Sequence, residues 1–249
     1  MKPQTTEKLQ KVLARAGLGS RREMETWIQT GRVQVNRQVA TLGDRVCATD
    51  DIKVDGRKLA KTAFTEQAQE IICYHKPSGE ICTRNDPEGR TTIFKRLPSL
   101  TNGRWISIGR LDFNTSGLLL LTNDGELANR LMHPSSGLER EYAVRVLGEV
   151  NNEMLQRLRD GVELEDGKAC FTEIQIAGGK GANHWYNVTL KEGRKHEVRR
   201  LWESQGITVS RLIRIRFGPI TLPKSLRAGH HIKLDSQNQQ KLLRAVDSK

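Results

Sequence analysis

Two short apolar runs, Trp105-Ile106-Ser107-Ile108 and Leu118-Leu119-Leu120-Leu121, bracket nine residues, Gly109-Arg110-Leu111-Asp112-Phe113-Asn114-Thr115-Ser116-Gly117. Two strand signals around a polar, glycine-punctuated loop specify a functional turn at the edge of a sheet. Inside it Asp112 is a lone carboxylate with Arg110 two residues before it. Chemistry at this loop would rest on one acid held near cationic groups, an arrangement that favours the ionised, nucleophilic form. The plain alternative is a surface turn whose Asp caps its own backbone.

Net charge says most about partners. With 41 Lys and Arg against 29 Asp and Glu, the 249-residue chain carries +12 and a pI near 9.8. A polyanion is the natural partner, because phosphate contacts by Lys and Arg release condensed counterions. The excess has two centres. Residues 191–233 hold eleven Lys and Arg against three acids, and residues 1–60 hold twelve against seven. Aromatic content of 5% argues against a stacking platform for long single strands. No apolar run reaches membrane-spanning length, and the N-terminus lacks the apolar stretch of a secretion signal. Cys47, Cys73, Cys82 and Cys170 are widely and irregularly spaced, with no CxxC pair. They read as buried or partly buried free thiols in a reducing cytoplasm.

Residues 7–60 read as a compact helical-then-strand module. Leu9, Val12, Leu13 and Ala16 recur at helical spacing up to Gly17. Ser20 and Glu23 form a capping box that opens a second helix with Met24, Trp27 and Ile28 inward, closed by Gly31. Strands follow at Val33–Asn36 and Ile52–Val54, with a turn at Leu42-Gly43-Asp44 between them. Residues 61–68 are weakly periodic and read as a linker. Residues 69–249 carry strand candidates at Glu70–His75, Trp105–Ile108, Leu118–Thr122, Glu141–Leu147, Thr172–Ala177, Trp185–Leu190 and Ile213–Phe217. Helices are expected at Asp124–Leu131, Asn152–Gly161 and Lys195–Gln205. Gly178-Gly179-Lys180-Gly181 lacks phosphate-loop spacing and reads as a hairpin. This pattern is α+β rather than a βαβ series.

The loop at 109–117, with Leu118–Gly125, Glu126–Pro134, Glu139–Val146 and Glu192–Leu201, resembles the motifs of pseudouridine synthases. The likeness is to the branch that modifies ribosomal RNA and carries a small RNA-binding domain ahead of the catalytic one. Tyr74–Glu80 and Asn85–Arg90 also fit, so the motifs run in order across nearly the whole chain. The helix pair with Arg15, Arg21, Arg22 and Arg32 resembles the S4 RNA-binding fold, which meets phosphates largely without reading base edges. A small helical adaptor with incidental charges is the plain alternative, and Trp27 reads as packing. The resemblance therefore implies an S4-like domain followed by a mixed, mostly antiparallel catalytic sheet around an RNA-binding cleft. Cys82–Arg90 and Ala128–Ser135 look most like the B-type group among the synthases that act on the large ribosomal RNA. That group implies one uridine in the peptidyl-transferase region of 23S rRNA.

The implied reaction breaks a glycosidic bond, turns the uracil and rejoins it through carbon, so no cofactor, metal or energy source is required. Asp112 matches the family's catalytic Asp, which either attacks the ribose or abstracts a proton from it; both routes stay open. A dry site needs a cation opposite that acid, and the resemblance assigns Arg199. Its alternative is phosphate binding beside Arg194, Lys195 and Arg200. Tyr142 matches the active-site Tyr that packs on the uracil, and its alternative is a core Tyr. Arg110 matches the position that fills the space of the flipped nucleotide. Leu201 is an apolar wall against the base or a core residue. Asp86 and Arg90 brace the cleft, and the six histidines have no triad pattern and receive no role. The expected partner is 23S rRNA rather than 16S, free or in an assembly intermediate, bound by a cytoplasmic monomer. The competing readings are a sister synthase for 16S rRNA or another 23S uridine, and a non-catalytic rRNA-binding assembly factor.

Overall fold

A computed structural model describes residues 6–64, 68–101 and 103–247. The chain divides into two compact units, residues 1–69 with 98–105, and residues 70–97 with 106–249.

In the first unit β1 (Glu7–Lys8) leads into α1 (Leu9–Arg15), and α2 (Arg21–Gln29) follows. Ser20 accepts from the Glu23 amide while the Glu23 carboxylate accepts from the Ser20 amide, the reciprocal cap expected from the sequence. The strands are β2 (Val33–Val35), β3 (Gln38–Val39), β4 (Arg45–Val46), β5 (Ile52–Val54) and β6 (Arg57–Lys58). Four of them form a sheet in the order β3-β2-β5-β6, and β1 pairs with β4. The helical periodicity of Leu9, Val12 and Leu13 and of Met24 and Ile28 puts all five side chains in one core with Val33, Val46 and Ile52. Of the expected linker, Lys61–Phe64 forms a 3-10 turn that buries Ala63 against this core. Residues 65–67 lie outside the described residues.

The second unit contains β7 (Ile71–Lys76), β8 (Ile106–Ile108), β9 (Ser116–Thr122), α3 (Gly125–Met132), β10 (Arg140–Leu147), α4 (Asn152–Asp160), β11 (Val162–Leu164) and β12 (Gly167–Ala169). β13 (Glu173–Lys180), β14 (Asn183–Leu190), α5 (Glu197–Glu203), β15 (Thr208–Phe217), β16 (Ile220–Thr221), β17 (His231–Lys233) and α6 (Ser236–Asp247) follow. One sheet runs β13-β14-β10-β15-β9-β7-β17, with β16 on β15 and β8 on β9. Every pairing is antiparallel except β15 with β9. The Gly178–Gly181 stretch turns β13 into β14 as a hairpin.

The four leucines of β9 are all fully buried, Leu118 and Leu120 in a cluster with Leu127, Leu131 and Leu242 of the helices. Each such side chain contributes about 1.5–3 kcal/mol of burial. β9, paired with β15 on one side and β7 on the other, is thereby anchored, and the loop before it projects from the end of an interior strand rather than from a sheet edge. Where β9 meets β15, Gly117 lies opposite Arg214 with φ +108°, and a Cβ there would stand 2.3 Å from the Arg214 carbonyl oxygen. Only glycine permits that backbone approach.

Candidate active site

Loop 109–117 lines a cleft of about 840 Å³ in the second unit. Its backbone is held by cations. Lys76, at the end of β7, is fully buried and donates to the carbonyls of Pro77, Asp112 and Thr115 at 3.0, 3.0 and 2.9 Å. Three donors meet three acceptors, so the ammonium is satisfied although burial pushes its pKa down. Arg199 of α5 donates to the carbonyls of Asn114 at 3.2 Å and Val209 at 2.9 Å. With the carbonyls turned to these cations, the Asp112 carboxylate is left 41% exposed in the cleft. Its ion-pair partner among the described residues is His196, whose Nε2 lies 3.4 Å from Oδ1. The expected Asp112–Arg199 side-chain pair is therefore not the contact in this structure. Arg199 meets the loop through the Asn114 carbonyl because Val209 and Asn114 offer main-chain oxygens on either side of its guanidinium.

The walls come from β10, β15 and the segment entering α5. Tyr142 on β10 lines the cleft, flanked across the strands by Val188 of β14 and Arg214 of β15. His196 has a left-handed backbone, φ +53°, where the chain turns into α5. Glu197 is buried in the same wall and accepts from the Arg194 amide at 3.0 Å; burial pushes its carboxyl up. Cys82 lies against the loop, donating to the Leu111 carbonyl at 3.4 Å, and burial raises its thiol pKa too. Arg90 and Asp86, both cleft residues, pair through two side-chain contacts of 2.8 and 3.0 Å.

The expected RNA-contacting residues separate into two groups. Arg110 and Lys195 are exposed in the cleft and available to phosphate. Arg21 and Arg22 are exposed in the first turn of α2. Cations there oppose the helix dipole, a cost that an anionic partner offsets. The others are spent internally. Arg15 pairs with Glu7 at 2.8 and 3.0 Å and donates to the Ala63 carbonyl. Arg32 stacks 4.0 Å over Trp27 and pairs with Asp55. Arg194 lines the cleft but donates to Glu192 and to the Asp166, Gly167 and Lys168 carbonyls. Arg200 forks onto Asp166 at 2.8 and 2.9 Å. Both therefore pin the β11–β12 hairpin. Leu201 is fully buried and outside the cleft wall, since the cleft reaches only the first turn of α5; Val198, Leu190 and Leu212 form the apolar wall instead. Of the four free cysteines, Cys170 is exposed rather than buried.

Lys76, His196 and Arg214 escaped the sequence reading as site residues. Lys76 lay inside a recognised motif with no role attached. His196 looked isolated, because its partner is 84 positions away in sequence. A signal for Arg214 existed: it is an ionisable residue two positions after Leu212, on the core face of a strand.

One compact unit is a basic helix pair on a small sheet, and the other is a mixed sheet whose cleft holds a carboxylate on a clamped loop. Residues 70–204 match the RNA pseudouridylate synthase profile and residues 7–52 the S4 domain profile, and the chain belongs to the RNA pseudouridylate synthase family. It is 60% identical over 232 residues to "Ribosomal large subunit pseudouridine synthase B" of Pseudomonas aeruginosa, covering 93% of this chain and 60% of that protein. The protein of the same name in Haemophilus influenzae is 61% identical over 234 residues, covering 93% and 66%. The chain thus spans roughly three fifths to two thirds of the length of these two relatives. A solved structure described as a pseudouridylate synthase superposes with a TM-score of 0.65 at 27% identity, covering 94% of this chain and 99% of that one. No helix among the described residues is long and apolar enough to cross a membrane.

Proposed function

We propose that this protein converts one uridine of 23S rRNA, in the peptidyl-transferase region, to pseudouridine. The observation that carries this reading is the presentation of Asp112. One carboxylate stands exposed in a cleft beside Tyr142, on a loop whose backbone is tied down by Lys76 and Arg199. The target nucleotide leaves its stack and enters the cleft, with Arg110 at the mouth taking up the vacated space. Uracil packs on the Tyr142 ring, a contact of about 1–3 kcal/mol. Asp112 acts on the ribose, at C1′ or by taking the C2′ proton, and the N1–C1′ bond breaks. The base turns inside the cleft, C5 bonds to C1′, the C5 proton leaves and N1 gains one. Atoms and electrons balance without a co-reactant. Arg199 serves by holding the loop, so that the carboxylate keeps its aim.

Residues 7–60 serve as the RNA-binding module through Arg21 and Arg22, and residues 69–249 as the catalytic domain. The protein works as a cytoplasmic monomer on free rRNA or an assembly intermediate. The test is to incubate the protein with unmodified 23S and 16S transcripts and with precursor particles, then map pseudouridine by chemical adduct and reverse-transcription stops. One new stop in the peptidyl-transferase region of 23S is expected. A stop in 16S or elsewhere moves the substrate but keeps the reaction, and no stop on any RNA or particle favours a binding factor.

A further inference from the structure

Arg214 is a cleft residue only 2% exposed, at the centre of the sheet between the strand that follows the Asp112 loop and the strand that bears Tyr142. Its Nε donates to the Leu118 carbonyl at 2.8 Å, which sets the plane of the guanidinium. The charge lies 5.4 Å from the Phe217 ring. Its Nη2 is buried and has no hydrogen-bond partner among the described residues. A buried charged donor left unsatisfied is costly, and such groups in native proteins call for a functional explanation. Gly117 lets β9 close on the Arg214 backbone, which fixes the strand position from which the side chain enters the cleft wall.

We infer that Arg214 reads the target base, its unpartnered Nη2 donating to O4 of a uracil packed on Tyr142. A guanidinium only donates. At position 4 uracil offers an acceptor, whereas cytosine offers an amino donor, so this contact accepts one pyrimidine and opposes the other. It also suits the turn of the base. Exchanging N1 for C5 about the C6–N3 axis carries O2 to the place O4 held, so one fixed donor faces a carbonyl before and after. The assignment rests on the pseudouridine synthase reading and adds to it the residue that selects uracil.

The experiment uses the full chain and a short RNA carrying the mapped position as uridine or as 4-thiouridine, whose sulfur accepts hydrogen bonds weakly. Turnover is measured for wild type, Arg214→Met and Arg214→Lys, with thermal unfolding of each. Wild type should process uridine roughly ten- to a hundred-fold faster than 4-thiouridine. Arg214→Met, if it stays folded, should lose that preference and turn over both RNAs at one reduced rate, whereas Arg214→Lys, which still only donates, should retain part of it. Arg214→Met keeping the full preference while slowing on both overturns the assignment and leaves Arg214 a structural residue. So does a wild type indifferent to the sulfur, a result that stands even if neither variant folds. No turnover of uridine by wild type overturns the parent reading, and this one with it.

Discussion

Asp112 and Arg199 meet the same loop through different atoms, and substitution should separate them. Asp112→Asn leaves the Lys76 and Arg199 contacts intact, because both grip main-chain carbonyls. The variant should bind rRNA as wild type does and lose pseudouridine formation by at least about 10³-fold in single-turnover assays. Turnover near wild type would sink the role given to this acid. Arg199→Ala frees the Asn114 and Val209 carbonyls and lets the loop drift. A shift of that kind costs about 10²-fold in rate, and rRNA affinity should hold. Equal losses in rate and affinity would demote Arg199 to a phosphate contact.

Two elements set the cleft, the β9–β15 junction and the entry to α5. At the junction Gly117→Ala brings a methyl group against the Arg214 backbone at a left-handed φ. Strain and overpacking together should cost about 2–6 kcal/mol, read by denaturant unfolding; a variant as stable as wild type would mean the strands part easily. At the α5 entry Glu197 is buried, and burial first, then the nearby Glu192 charge, raises its carboxyl while the Arg194 amide lowers it. The folded state thus keeps this proton to a higher pH than the unfolded chain, whose value lies near 4.5. Between the two values the unfolded chain binds fewer protons, so this group's stabilisation falls as pH rises. Glu197→Gln removes that loss. Its melting temperature minus that of wild type should grow from about pH 4.5 towards 7, and a difference flat across that range would argue against the raised carboxyl.

At the scale of the molecule the proposed RNA binding draws on the +12 charge, but the arginines are not interchangeable. Arg21 and Arg22 are exposed, whereas Arg15 and Arg32 are paired within their own unit. Replacing Arg21 and Arg22 by Ala should make the plot of log affinity against log salt shallower by about 1.4–1.8, the value of two phosphate contacts. Arg15→Ala should lower stability and leave that slope unchanged. If the slopes respond the other way round, the RNA face of this unit lies at α1 rather than at the start of α2.

Local signals in the chain determined much of this. Periodicity placed α1 and α2, the Ser20–Glu23 pair capped α2, and α3, α4, β10 and β14 also lay where the sequence suggested, because such signals depend on neighbours within a few residues. The loop carrying Asp112 was legible for the same reason. α6 and the β11–β12 hairpin were not anticipated. The glutamine-rich start of α6 hides an apolar face that packs into a core built from distant strands and α3, and the hairpin is short and held by Arg194 and Arg200 from α5 and its entry. Tertiary structure alone decided which charges were free. Arg194, Arg200, Arg15 and Arg32 looked like phosphate ligands until the fold supplied carboxylates and carbonyls for them. It likewise carried His196 to Asp112 and left Arg214 with an unpartnered donor, since these contacts span roughly a hundred residues and a one-dimensional pattern records spacing, not partners.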